Sequence, residues 1–292
     1  LNTVRLVVLA ALWGGSFLFM RICAQSVGPT LLILLRVGLA ALFLLCVARL
    51  LRRSLPLRGR LRHYTVVGVF NSAIPFSLFA VAALDLPASL LSILNATAPI
   101  WAAMIAAVLA RAAPARATLL GLALGLAGVA ILVGLDGSAP AGAAPGAVLA
   151  GLAGAFSYGV ATCYARRAPA VEPFDNALGS MLAATIVMLP LALAGAAPQP
   201  IWDWRITVSV LLLGIVSTGA AYLLYFRLIQ DIGPPAALTV TFLIPLFGSL
   251  WGVLLLGESI GWHTLAGGAA VIAGTALASG LVPSRLQRSP GR

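Results

Sequence analysis

Long apolar runs separated by short polar gaps dominate the chain, and the length of the runs says what they are. A bilayer core takes roughly 20 apolar residues per helix, with a range of about 17–25. Cutting the sequence at Arg, Pro, Gly and acidic residues leaves ten runs of that size, near 4–22, 30–48, 64–84, 89–110, 117–135, 147–165, 176–196, 206–227, 235–256 and 264–282. Asp85 and Pro87 part the third from the fourth, and Asp231, Pro234 and Pro235 part the eighth from the ninth. The pattern predicts an all-α integral membrane protein with ten transmembrane helices. The first run follows Arg5 and shows no small-residue cleavage site, so it reads as a retained helix rather than a signal peptide.

Composition agrees with lipid as the solvent. Mean hydropathy is +1.07, with 61% hydrophobic and 9% charged residues, where a soluble domain carries about 25% charged. No stretch remains for a folded domain outside the membrane. The net charge of +11 invites nucleic acid as a partner, but its arrangement argues otherwise. All 18 basic residues are Arg, and nearly all lie in the gaps between runs. With the N-terminus inside, the inner gaps carry 15 of them: Arg5, Arg49, Arg52, Arg53, Arg58, Arg60, Arg62, Arg111, Arg116, Arg166, Arg167, Arg227, Arg285, Arg288 and Arg292. The outer gaps carry only Arg21 and Arg205. That is the positive-inside pattern; it supports the helix count and puts both termini in the cytoplasm. The expected partners are the lipid bilayer and a small-molecule substrate, with no nucleic acid. A Lys-free composition rich in Ala, Gly and Arg suggests a bacterial source, hence the bacterial inner membrane.

Little here serves bond-making chemistry. The sequence has no GxxxxGK[ST] phosphate loop, two His and no CxxC among its three Cys, so neither ATP hydrolysis, a His-based metal site nor a structural disulfide is expected. No buried nucleophile is paired with a base. The expectation is a protein that is not an enzyme and needs no cofactor.

The two halves of the chain are similar. A shift of 146 residues lays Gly68 on Gly214, Asp85 on Asp231, Pro99 on Pro245, Gly121 on Gly267 and Gly128 on Gly274. A shift of 145 lays Trp13-Gly14 on Tyr158-Gly159 and Arg21 on Arg166. The near-constant offset marks an internal repeat. It divides the chain into residues 1–141, the first five helices, and 142–292, the second five. Five is odd, so the second copy enters the membrane from the opposite side, as two inverted repeats. Secondary transporters use this architecture with the site near the midplane.

The stretches ALWGGSF (11–17), FSYGVAT (156–162), LNATAPIWAAMIA (94–106) and FLIPLFGSLWGVLLLGE (242–258), together with Arg36 early in the second helix, resemble the drug/metabolite transporter superfamily. Within it the chain is similar to EamA-type bacterial exporters and to YddG-like amino-acid exporters. The resemblance implies transport by alternating access, with the fifth and tenth helices bracing the bundle. One position departs from symmetry: Glu258 closes LLLGE, while its counterpart VLARAA holds no acid.

Four prolines, Pro75, Pro99, Pro190 and Pro245, fall within predicted helices, where each removes a backbone hydrogen bond. Pro99 and Pro245 are repeat equivalents and read as hinges beside the substrate. Polar and aromatic residues gather near midspan, and a buried hydroxyl or amide in lipid needs a partner on another helix or in a cavity. The candidate substrate-binding set is Trp13, Phe17, Phe76, Phe79, Asn95, Pro99, Trp101, Tyr158, Tyr222, Thr241 and Pro245. Asn71, Ser72, Thr218 and Tyr225 lie in the same midspan zone; the competing interpretation of such residues is plain helix packing. Every acid sits at a helix end or in a loop, which disfavours cationic-drug antiport and favours neutral or zwitterionic cargo, with facilitated diffusion and proton coupling through a helix-end acid both open. For Arg36, the one basic residue well inside a span, three roles stand open: attracting a substrate carboxylate, bracing a neighbouring helix, or snorkelling to the outer face. Arg21, Arg166, Trp202 and Trp204 read as interfacial anchors. Gly121/Gly125 and Ala270/Gly274/Ala278 read as close-packing faces.

The expected function is export of small amphipathic metabolites, foremost aromatic and other apolar amino acids. The alternatives are a broad drug exporter of the same fold and, from another class, a membrane-embedded enzyme or signalling component. Ten helices suffice to enclose one pathway, so a monomer can do this work.

Overall fold

The computed structural model describes residues 1–56, 59–133, 145–194, 200–237 and 239–279. Arg58, Asp136, Arg285, Arg288, Arg292 and the repeat boundary at 141/142 lie outside the described residues. In chain order the helices are α1 Asn2–Val27, α2 Pro29–Leu50, α3 Leu61–Ala82, α4 Ala88–Leu109, α5 Arg116–Val133, α6 Pro145–Ala165, α7 Pro173–Ala194, α8 Trp204–Ile232, α9 Val240–Leu256 and α10 Trp262–Ala278. Seven are long and apolar enough to cross a membrane; α5, α9 and α10 are shorter apolar helices.

The boundaries follow local chemistry. Gly28 joins α1 to α2 at φ 81, a left-handed angle that glycine adopts without strain, and Pro29 opens α2 where its missing N–H is harmless. Asp203 caps α8, its carboxylate accepting from Ile206 N at 2.7 Å. Two expectations need adjusting. The fourth run is broken into Ala88–Asn95 and Ala98–Leu109, because Pro99 cannot donate into the turn before it. The ninth begins late, at Val240 after a short turn Pro234–Ala237.

Cross-links show that the helices run alternately up and down. Arg5 at the start of α1 pairs with Asp231 at the end of α8, and Arg53 after α2 pairs with Glu172 before α7. Ile201 N before α8 bonds Ser26 O at the end of α1. The face where α1 begins is called here the N-face, and the other the far face. Among the described residues, Arg21 and Arg205 alone of the interhelical arginines sit at the far face.

The repeat shows itself as interfaces that occur twice. A Cβ on Gly14 of α1 would lie 2.8 Å from Gly248 N and Phe247 Cβ of α9. A Cβ on Gly159 of α6 would lie 2.9 Å from Ala102 N and 3.0 Å from Trp101 Cβ of α4, and Phe247 and Gly248 are the repeat equivalents of Trp101 and Ala102. Gly68 of α3 meets Ser180 O of α7, just as Gly214 of α8 meets Leu39 and Arg36 O of α2. The α5/α10 pair is its own equivalent: Gly121 abuts Gly274 O while Gly128 abuts Gly267 O. Each contact joins one half to the other, as a twofold axis in the membrane plane requires. In lipid no hydrophobic force drives helices together, so such close backbone packing carries the association.

The outer surface is apolar. Leu42, Val108, Leu149, Ile186 and Leu254 are all exposed, a surface that only lipid covers without penalty. Trp204 at the far face is 76% exposed, as suits an interfacial anchor.

Candidate functional site

The two helices that bear most of the midspan polar residues share a distortion. α3 carries a π-helical stretch at Val69–Ala73 and α8 one at Leu212–Ala220. They occupy the same register of the repeat, and such widened turns leave backbone groups unpaired and re-aim the residues that follow. Pro75, which has no N–H to give, follows the first stretch. In the second, Thr218 Oγ1 donates to Leu213 O at 2.8 Å, filling the gap with a hydroxyl.

Arg36 ends at this point. Gly214 lets the α2 backbone rest on α8, with Arg36 O 3.2 Å from where a Cβ would stand. The guanidinium then reaches the π stretch: Nε donates to Thr218 Oγ1 at 3.0 Å and Nη1 to Met20 Sδ at 3.5 Å. Its Cζ lies 3.6 Å above the Phe76 ring, a cation–π contact. Only 4% of Arg36 is exposed. The ion pairs among the described residues engage Arg5, Arg53, Arg60 and Arg227, not Arg36. The snorkelling role is thereby corrected: the side chain turns inward.

Aromatic rings surround this cation. Trp13 packs on Tyr222 and Tyr225 with centroids at 6.3 and 5.2 Å. Phe17 meets Phe79 edge-on at 5.5 Å, and Phe79 stacks on Tyr158 at 6.2 Å. Tyr158 and Tyr222 are electrostatic neighbours of Arg36. Asn71 Nδ2 donates to the Tyr222 hydroxyl at 3.3 Å. Ser72 Oγ is close to that hydroxyl, buried, and without a hydrogen bond of good geometry.

Of the sequence-predicted set, Trp13, Phe17, Phe76, Phe79, Tyr158 and Tyr222 come together in this layer. Trp101 does not join them. Its ring faces Phe156 at 5.8 Å and lines a narrow crevice of about 10 Å³ with Ile100, Leu122 and Leu126, beside α5. Asn95 and Pro99 flank the break in α4; Pro245 is buried within a continuous α9, and Thr241 is half-buried near its start. Pro190 is exposed on α7.

Arg36, Met20, Thr218 and Tyr225 complete the layer and were outside the predicted set. Carrying the 146 shift along α3 and α8 pairs Ser72 with Thr218, Phe76 with Tyr222 and Phe79 with Tyr225, which is the signal that would have found two of them.

The far face is tied together by side chains that cap helix ends. Glu258 beyond α9 accepts Ala88 N at 2.6 Å, Ser89 N at 3.1 Å and Ser89 Oγ at 2.8 Å, so a carboxylate sits on the N-terminus of α4. Arg21 Nη1 donates to Ala83 O and Leu84 O at 2.7 and 2.6 Å, and Gln25 Nε2 to Leu84 O at 3.1 Å, capping the C-terminal end of α3. Arg21 is thus a tie between helices and not merely an anchor.

The N-face lacks the counterparts. Ala112 stands where Glu258 would repeat, and Pro234 and Pro235 stand where Ala88 and Ser89 would, with no N–H to offer. Arg166, the equivalent of Arg21, is exposed and makes no side-chain hydrogen bond or ion pair among the described residues. It lines instead a groove of about 270 Å³ with Ala106, Cys163 and Arg167. What links the N-face is a set of ion pairs, Arg5 with Asp231, Arg53 with Glu172 at 3.4 Å and Arg60 with Asp175 at 4.0 Å, together with the His63–Asn176 hydrogen bond at 3.0 Å.

The model of the EamA-like transporter family matches residues 3–134 and 145–280, which hold α1–α5 and α6–α10. A crystal structure of a protein with 21% sequence identity has the same fold, at a TM-score of 0.66 over 98% of each chain. None of the curated proteins matches this chain.

Proposed function

We propose, from the premise that the chain belongs to the EamA-like transporter family, that this multi-pass membrane transporter exports small amphipathic metabolites, foremost aromatic and other apolar amino acids. The membrane would be the bacterial inner membrane, with the N-face in the cytoplasm, and the moving units the halves 1–141 and 142–292. A single chain would enclose the pathway.

The observation that carries the cargo is the mid-bundle layer. It joins aromatic walls to neutral hydrogen-bonding groups and one cation, while every acid among the described residues lies at a helix end. A cationic drug would meet Arg36 and no carboxylate, so the drug-exporter alternative is the weaker one. Direction is supported by the ends. Charge-bearing caps hold the far face shut, whereas the N-face is linked through partly exposed ion pairs, each worth about 1 kcal/mol or less. Such a molecule rests ready to load from the N-face.

Reconstituted vesicles and counterflow of labelled amino acids test this. Phenylalanine, tyrosine or leucine should exchange at rates well above empty vesicles; no exchange of any amino acid, with or without a proton gradient, would overturn the proposal. Tyr222→Phe removes the acceptor of the Asn71 bond. One neutral hydrogen bond is worth about 1 kcal/mol, so a rise of roughly fivefold in half-saturation is expected at unchanged protein yield. An unaltered value would take the hydroxyl out of the site.

A further inference from the structure

We propose that the Arg36 guanidinium is the seat of a carboxylate on the transported solute, so that the cargo class is a small carboxylic acid or zwitterion with an apolar body. This rests on the mid-bundle layer being the transport site.

A guanidinium has five N–H donors in a planar fork. Arg36 uses Nε–H on Thr218 and one Nη1–H on the Met20 sulfur, and thioether sulfur is a weak acceptor. Phe76 covers one face of the plane, leaving the in-plane edge of the fork. That edge matches the two oxygens of a carboxylate, which accept side by side. Thr218 cannot also donate to a carboxylate, because its own proton goes to Leu213 O.

A charge buried without a counter-ion is costly, and proteins normally answer it with an acid. Here no described acid pairs with Arg36. The α7 equivalent of the position, judged by the matched Gly68 and Gly214 contacts, is Ser180, a neutral residue that bonds Ala177 O within its own helix at 3.1 Å. The bundle therefore holds one such seat rather than two, which gives the solute a single polarity in the site. Around the seat, Ser72 Oγ is buried without a well-formed bond and can accept from an ammonium group. Trp13, Phe17, Phe79, Tyr158 and Tyr222 supply the apolar walls.

The test uses the full chain in nanodiscs and reads binding by calorimetry and by Trp fluorescence. The probes are two matched pairs, L-phenylalanine against L-phenylalaninol and 3-phenylpropionate against 3-phenylpropanol. In wild type the acid of each pair should bind at least about tenfold more tightly than its alcohol, the scale of one charge-assisted pair. Arg36→Gln should erase that preference, bringing the acid and the alcohol of each pair to equal affinity, and Arg36→Lys should keep part of it. Arg36→Lys serves as the second variant if Arg36→Gln does not fold: it keeps the charge but loses the planar fork, so the acid preference should shrink, and an undiminished preference would overturn the seat. Equal binding of acid and alcohol in wild type, or an acid preference that survives in Arg36→Gln, would overturn the seat. The amino-acid proposal fails separately: 3-phenylpropionate preferred over its alcohol, with no amino-acid counterflow, would sink that cargo and leave the carboxylate seat standing.

Discussion

A leucine at position 274 is expected to destroy the packing of α5 on α10 and, with it, most of the folded protein. The Cβ alone would lie 2.5 Å from Gly121 O and 2.8 Å from Gly125 N. These are backbone atoms of a helix, and they cannot swing aside as a side-chain tip can. The helices must part, which also opens the matching contact of Gly128 with Gly267. Overpacking a tight interior costs about 1–3 kcal/mol and occasionally more, and in lipid no hydrophobic gain offsets it. At about 2–4 °C per kcal/mol the apparent melting temperature should fall by roughly 10 °C. Fluorescence-detected size exclusion with a thermal ramp reads both yield and midpoint. The control is Gly146→Ala in the first turn of α6, where a Cβ meets nothing within 4 Å. Alanine there gains up to about 1 kcal/mol of helix propensity, so the midpoint should hold or rise. A Gly274→Leu protein as stable as wild type would remove close packing as the basis of this interface.

The second large effect is expected from Glu258→Ala. Its carboxylate receives three hydrogen bonds from Ala88 and Ser89 at the far face, and Gly252 leaves room for it, since a Cβ there would stand 2.7 Å from the carboxyl carbon. Hydrogen bonds to a charged group contribute about 1.5–3 kcal/mol each, and part is regained from water when the face opens. A net loss of about 2–3 kcal/mol shifts the closed-to-open balance of the far face by roughly 30- to 150-fold. Spin labels replacing Asp85 and Ser259, with Cys23, Cys46 and Cys163 substituted, report it as a distance distribution. Wild type should show one short population and Glu258→Ala a second, longer one. Identical distributions would mean that the cap stabilises α4 without gating the far face. Because the N-face has Ala112 and a Pro234-Pro235 pair at the equivalent places, no single substitution there should have a comparable effect.

How far the sequence could be read is seen at particular residues. The ten helices were legible because a bilayer imposes one length on every apolar run, and the inverted repeat because Gly68, Pro99, Gly121 and Gly128 recur at one spacing. Those glycines recur for a reason the fold supplies: each lies where another helix comes within a backbone's reach. Six of the eleven candidate residues converge on one layer, since a midspan aromatic in a polar-lined helix has few other places to go. Trp101 shows the limit. Its position relative to Pro99 is right for a pathway residue, but rotation about the helix axis turns its ring toward α5, and one sequence does not say which way a helix is rolled when every face is apolar.

Alone, the sequence determined the architecture: helix count, alternation, the duplicated halves and the absence of acids from the midspan. These depend on chain-local quantities, namely run length, charge in the gaps and offset. Only the tertiary structure decided what the exceptional residues do. It turned Arg36 inward onto Thr218 and Phe76 with no counter-ion among the described residues, and made Arg21 and Glu258 caps on other helices at one face. Both outcomes depend on distances between helices remote in the chain. A hydrophobic pattern leaves such distances open, because in lipid it orders residues by depth and not by neighbour.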